Sequence, residues 1–147
     1  MGEEYKTLLE EWFNEVWNKR DANAIDRLAA ADVIAHGLLD ENGNELRGVQ
    51  AFKAFHGKFI NAFPDLHVEV ADSFAQGDRV VARCIVRGTH RGDALGFKAT
   101  SRNIRITGMA IARVKDGKVV EAWNDFDFLT MHRQLDSLKL LLQTDSK

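Results

Sequence analysis

The sequence predicts an α+β domain, and three observations carry that expectation. Apolar residues up to Ala62 recur at three- and four-residue spacings, those from Leu66 onward alternate, and Asp116-Gly117 marks a tight hairpin between two alternating runs. Helices first and strands afterwards suit an antiparallel meander packed on helices, not a parallel α/β alternation.

Residues 3–20 read as an amphipathic helix, with Tyr5, Leu8, Leu9, Trp12, Phe13, Val16 and Trp17 on one side and mostly acidic or polar residues between them. A short second helix fits Asn23–Ala30, capped by Asp21 or Asn23 with Ile25 and Leu28 inward. Val33–His36 reads as a short strand and Asn42-Gly43-Asn44 as a turn. A third helix spans Val49–Ala62, carrying Phe52, Phe55 and Phe59 on one face. Phe63-Pro64-Asp65 ends it, because proline disfavours helical geometry in the residue before it.

From Leu66 the period becomes two. Leu66, Val68 and Val70 alternate with His67, Glu69 and Ala71, and Gln76-Gly77-Asp78 turns the chain into a strand over Arg79–His90. A loop over Arg91–Ser101 precedes a strand over Asn103–Val114. Lys115-Asp116-Gly117-Lys118 suits a two-residue primed turn, followed by a strand over Val119–Phe128 and a last helix with Leu129, Leu135, Leu138 and Leu142.

The 147 residues are the size of one domain, so 1–147 is read as a single unit. With 45% hydrophobic and 29% charged residues the composition is that of a folded globular protein. Net charge is −2 with both signs interspersed, which offers no basic stripe to a nucleic acid. No segment has the apolar length of a membrane span, and the N-terminus lacks a signal-peptide pattern, so a cytoplasmic protein is expected. The lone Cys84, in an apolar run, reads as a buried small hydrophobe. Histidine and carboxylate spacings match neither a zinc helix motif nor a calcium loop, so no metal is expected. Gly88, Gly92 and Gly96 do not form a phosphate-loop pattern, and the serines lack a nucleophile-elbow context.

A two-residue turn at Asp116-Gly117 pairs Glu121 with Ala112, Trp123 with Ala110, Asp125 with Gly108, and Asp127 with Ile106. Three of these four partners are very small, so the face carrying Trp123 and Asp125 is expected to wall a cavity. The aromatic and aliphatic stripes of the helices, with Trp12, Val16, Phe55 and Phe59, would close it. Carboxylates at i and i+2 on one strand face lie about 6 to 7 Å apart. Shared burial would raise the pKa of one of them toward the range useful for proton transfer. His90 shares parity with Ala82, Cys84, Val86 and Gly88, and it reaches the same cavity on this reading. His36, ending the first short strand, is a further candidate.

A set of short segments in order then resembles a known family. They are Phe63-Pro64-Asp65, Gly77-Asp78-Arg79-Val80, Gly88-Thr89-His90-Arg91-Gly92, Gly96-Phe97, Thr100-Ser101-Arg102, Asp116-Gly117-Lys118-Val119, Glu121-Ala122-Trp123, Asp127 and Gln134-Leu135. Together they look like the SnoaL-like polyketide cyclases of the nuclear-transport-factor-two-like superfamily, and they span nearly the whole chain. Ser101 and Asp136 stand where the family often has glycine. The resemblance implies a cone in which a curved antiparallel sheet wraps N-terminal helices around an internal pocket. It also implies intramolecular aldol ring closure of a polyketide without cofactor or metal, with Asp127 matching the family's acid/base aspartate.

Three readings follow. One is a cofactor-free cyclase or isomerase using Asp127, with His90 and His36 orienting a carbonyl-bearing substrate. Another is a module that binds a small hydrophobic ligand without converting it. The third is epoxide hydrolysis by an acid and an activated water. Arg83 and Arg87 on the outer sheet face suit a homodimer interface.

Overall fold

The structure, a computed structural model, describes residues 2–137; the expected positions of Leu138 and Leu142 lie outside them. Helix α1 covers Gly2–Trp12 and continues as a π-helical turn over Phe13–Asn18, so the predicted amphipathic helix is one continuous rod with a widened end. The amide of Asn18 then pins the rod to the sheet, donating to the Val68 carbonyl at 2.9 Å and accepting from the Val68 N–H at 2.7 Å. Helix α2 covers Asn23–Leu28 and helix α3 Val49–Ala62.

Six strands make one sheet: β1 (Ala29–Leu39), β2 (Glu45–Arg47), β3 (His67–Gln76), β4 (Arg79–Thr89), β5 (Asn103–Lys115) and β6 (Lys118–Phe126). Their order is β2-β1-β6-β5-β4-β3, antiparallel throughout except that β1 and β6 run parallel. The strand expected over Val33–His36 is much longer, and it begins inside the stretch read as helix. Alanine's helical preference at Ala29–Ala31 is overridden by pairing of Ala29 with Val119 of β6. Strand β2 went unpredicted because it is three residues long and is recognisable mainly through buried Leu46, which faces Ala35. A short helix α4 (Phe128–Gln134) closes the described chain.

The expected α+β architecture is therefore the observed one, a curved sheet with the N-terminal helices on its inner face. Trp12 and Trp17 of the first rod meet Phe52 of α3 edge-on, at 5.2 and 6.1 Å between ring centres. Cys84 is fully buried there, and burial pushes its thiol up to about 12, so it behaves as a small apolar residue. Asp116 (φ 53°) and Gly117 (φ 78°) form the predicted primed turn. Ser101 (φ 60°) and Asp136 (φ 57°) are left-handed too, a conformation that favours glycine.

One feature of the hairpin corrects the expected register. Lys115 faces Lys118 and Val114 faces Val119, as a two-residue turn requires, but the next pair is Arg113 with Glu121. Val120 is extra: a β-bulge reverses the side of every later residue in β6. Strict alternation would have turned Glu121 and Asp125 into the apolar interior, at a cost of several kcal/mol for each unpaired carboxylate. The bulge avoids that and turns Ala122, Asn124 and Phe126 inward instead.

Candidate functional site

The inner face of the sheet and the helices enclose a cavity of about 100 Å³, counted as space open to the centre of a water molecule. A single water needs roughly 10–15 Å³ by the same measure, so the space suits a larger guest. Trp12, Trp17, Phe52, Phe55 and Phe59 supply the helical wall. Ala110 and Ala112 of β5 with Ala122 of β6 leave the opposite wall shallow, while Phe126 and Phe128 close one side. Asn124 is the one side chain with an amide in this wall of described residues. Its Nδ2 donates to the main-chain carbonyl of His36 at 3.0 Å, which leaves Oδ1 and a second N–H for a guest.

Of the residues expected to line the cavity, Trp12, Phe55 and Phe59 do so. Val16 does not; it is fully buried in the core beneath the wall. Gly108 is on the inner face but faces Phe126, not Asp125, and a Cβ added to it would come within 2.1 Å of the Phe126 ring. Its missing side chain is therefore filled by that ring and opens no cavity. Ala110 and Ala112 do leave open space, opposite Asn124 and Ala122 in place of the expected Trp123 and Glu121.

Trp123 and Asp125 stand on the outer face, for which the bulge is responsible. Asp125 is exposed opposite Met109. Trp123 is held between the Arg79 guanidinium, 4.8 Å from its ring centre, and the stacked His36 ring at 5.5 Å. The His36 side chain is also outside, because its neighbour Ala35 points in. Its Nδ1 lies 2.5 Å from Glu45 Oε2 and its Nε2 2.6 Å from Glu121 Oε2. These bonds, led by the one to Glu121, raise the His36 pKa, and the same bond lowers that of Glu121. Arg113, 3.2 Å from Glu121 Oε1, completes the network.

Asp127 is exposed and caps helix α4. One carboxyl oxygen accepts from the Thr130 N–H at 3.0 Å and the other from the Thr130 hydroxyl at 2.6 Å. The hydroxyl bond, with the amide behind it, holds this carboxyl below the usual carboxylate range. Asp127 and Asp125 therefore do not share a buried site, although the chain neighbours of Asp127, Phe126 and Phe128, both line the cavity.

His90 follows its strand parity inward and is fully buried, yet it packs tilted against Phe63 and Phe97, one ring beyond the cavity wall. Its Nδ1 accepts from the Thr100 N–H at 3.1 Å, which puts the ring proton on Nε2. Nε2 makes no hydrogen bond of good geometry among the described residues, although a weaker contact with the Gly92 backbone opposes the effect of burial on its pKa. Burial lowers the His90 pKa, as it does for His56, whose Nε2 donates to the Val16 carbonyl at 2.6 Å. Groups of three or more metal-ligating side chains are absent among the described residues, and no described helix is long and apolar enough to cross a membrane.

Asn124 was missed by sequence reasoning. The adjacent valines at 119 and 120 leave the inward side of the strand ambiguous, and the apolar alternation of Ala122, Phe126 and Phe128 was the signal that could have settled it.

Comparison with known proteins agrees with this architecture. The chain is 29% identical over 122 residues to the aklanonic acid methyl ester cyclase DnrD of Streptomyces peucetius, covering 82% of this chain and 83% of that one. The structure of IdmH from Streptomyces antibioticus, a proposed polyketide cyclase, superposes with a TM-score of 0.76 at 30% identity, covering 88% of this chain and 96% of its own. AclR of Streptomyces galilaeus, a proposed hydroxylase, gives a TM-score of 0.78 at 29% identity over 91% and 96% of the two chains. The family model for SnoaL-like polyketide cyclases matches residues 7–135, and the chain belongs to that family.

Proposed function

We propose that the cavity takes up a polyketide-type carbonyl compound and folds it for intramolecular aldol ring closure, without metal or cofactor. The observation that carries this reading is the lone amide of Asn124 in an otherwise apolar, aromatic wall. Such a wall excludes water and presses a flexible chain of carbonyls into a compact conformer, which converts ring closure into a matter of positioning. Asn124 donates its free N–H to a carbonyl oxygen and stabilises the enolate that forms there. Asp127, ionised at neutral pH and flanked by two residues of the cavity wall, is the base this reading assigns. It takes the proton alpha to that carbonyl once Thr130 releases it. The enolate carbon attacks a second carbonyl, and the resulting alkoxide recovers the proton from Asp127.

A second reading, binding without turnover, is favoured by the engagement of both Asp127 oxygens with Thr130. Epoxide opening would call on the same carboxylate, Asp127, which lies beside the wall and not in it. We also assign a homodimer to the outer sheet face. There Phe74, Met109 and Ile111 are exposed between charged rows of both signs, including Arg83 with Asp72 and Arg113 with Glu121. Sedimentation showing a monomer at micromolar concentration rejects that assignment.

The enzymatic reading is tested with a panel of β-dicarbonyl and linear poly-β-ketone substrates. Asn124→Leu is expected to lower turnover about 100-fold, as loss of an oxyanion donor does elsewhere. Unchanged turnover in Asp127→Asn removes Asp127 from the mechanism. Tight binding by the parent protein with no product anywhere in the panel leaves the binding module as the function.

A further inference from the structure

Because Asn124 is tied to the His36 carbonyl, the group that fixes His36 also fixes the amide offered to the cavity. Strand β1 is irregular at this point. Gly37 adopts φ +85°, the pairing with β2 shifts register between Ala35 and Leu39, and the Gly37 backbone lies directly on that of Asn124. On the β2 side no ladder pair follows Ala35 until Leu39, while on the β6 side His36 stays in register with Trp123. The His36 side chain supplies the tie that the β2 side lacks, through Glu45, and adds one to β6 through Glu121, so three strands are clasped by one ring.

We infer that His36 is a positioning residue: in its doubly protonated form it clasps Glu45 and Glu121 and thereby aims the Asn124 amide at a carbonyl oxygen in the cavity. This deepens the proposed function and rests on it for the identity of the guest. The chemistry is that of the imidazole. A neutral ring has one N–H and one lone pair, whereas both nitrogens here face a carboxylate oxygen within 2.6 Å. Only the imidazolium donates to both. When it loses the proton, one lone pair confronts a carboxylate and one end of the clasp opens. The charged groups around the ring are Glu45 from β2 and Glu121 from β6, with Arg113 of β5 behind Glu121 and Arg79 of β4 across the Trp123 ring. Arg113 keeps Glu121 ionised, so that carboxylate remains an acceptor when the proton leaves His36. The helices pack on the opposite, inner face of the sheet. Carbonyl recognition inside the cavity is thus set by a titration on its outer surface, and it weakens as pH rises.

The test uses two non-titrating probes of similar shape, the aromatic ketone 2-acetonaphthone and the oxygen-free 2-ethylnaphthalene, read by quenching of tryptophan fluorescence. In the parent protein, affinity for the ketone is expected to fall about fivefold as His36 loses its proton, the size of one hydrogen bond, while 2-ethylnaphthalene binds equally throughout. His36→Gln flattens the ketone profile; Glu45→Gln serves if that variant does not fold. Without any ligand, the side-chain amide resonances of Asn124 move with the titration of His36. The inference is overturned if those resonances stay fixed while His36 titrates, or if the ketone profile persists unchanged in His36→Gln. Failure of both probes to bind rejects the proposed function instead, and the resonances still decide the role of His36.

Discussion

Two rows of residues one position apart cross the same three strands and have little else in common. Ala82, Ala110 and Asn124 face one another on the inner side of β4, β5 and β6, and the two alanines are buried almost completely. Arg83, Met109 and Asp125 face one another on the outer side, and all three are exposed. The inner row is small so that aromatic rings from the helices and a guest fit against it. The outer row carries the charges of Arg83 and Asp125 on either side of Met109, because solvent hydrates them at little cost. What separates the two chemistries is the direction of a side chain, and in β6 that direction is set by the extra residue Val120.

The same substitution on adjacent residues gives the largest expected contrast. Ile106 lines the cavity and is 4% exposed, whereas Thr107 points outward. Ile106→Lys should cost at least about 4 kcal/mol, because it removes packed methyl groups and strands an ammonium group. Thr107→Lys should stay within about 0.5 kcal/mol, as surface changes do. Urea denaturation of both variants measures the difference, and equal costs would mean that the two faces are not distinct.

Gly37 is where the faces meet across the β1–β6 seam. A Cβ there would lie 1.9 Å from the Asn124 carbonyl oxygen, and the backbone is left-handed as well. Gly37→Ala should therefore destabilise by about 2 to 3 kcal/mol. It should also displace the Asn124 amide, visible as a shift of its side-chain resonances. A neutral Gly37→Ala would show that the seam is loose.

The smallest effect separates the faces by the sign of a pH dependence. His56, on the inner side, has a pKa lowered by burial below its ordinary 6.5. Its folded form stays neutral where the unfolded chain takes up a proton, so its stabilising contribution is present above pH 6.5 and lost as pH falls below it. His36, outside, has a raised pKa, chiefly through Glu121; its contribution is full below pH 6.5 and is lost as pH rises through the folded value. His56→Gln should accordingly reduce the loss of stability in acid, and His36→Gln should increase it. Urea titrations at several pH values read both slopes, and slopes of the same sign would contradict the assignment of the two histidines to opposite environments.

The sequence alone determined the helices that carry Trp12, Phe55 and Phe59, the four long strands that follow β2, and the Asp116-Gly117 turn. These depend on local periodicity and on turn chemistry written into consecutive residues. Short β2 and the alanine-rich start of β1 were not legible, since each is held as strand by partners distant in the chain. The site divides in the same way. The aromatic wall was readable from helical spacing, and so was the inward direction of His90. The roles expected of Trp123, Asp125 and Gly108 assumed unbroken alternation through β6, which its bulge breaks, whereas the His36 ring was placed only by its position at a strand end, and alternation from Val33 and Ala35 turns it outward. Only the tertiary structure decided that Asn124 enters the cavity while Glu121 and Asp125 stay in water. The choice rests on the cost of burying two carboxylates against that of one bulge, and that balance exists only once there is an interior to bury them in.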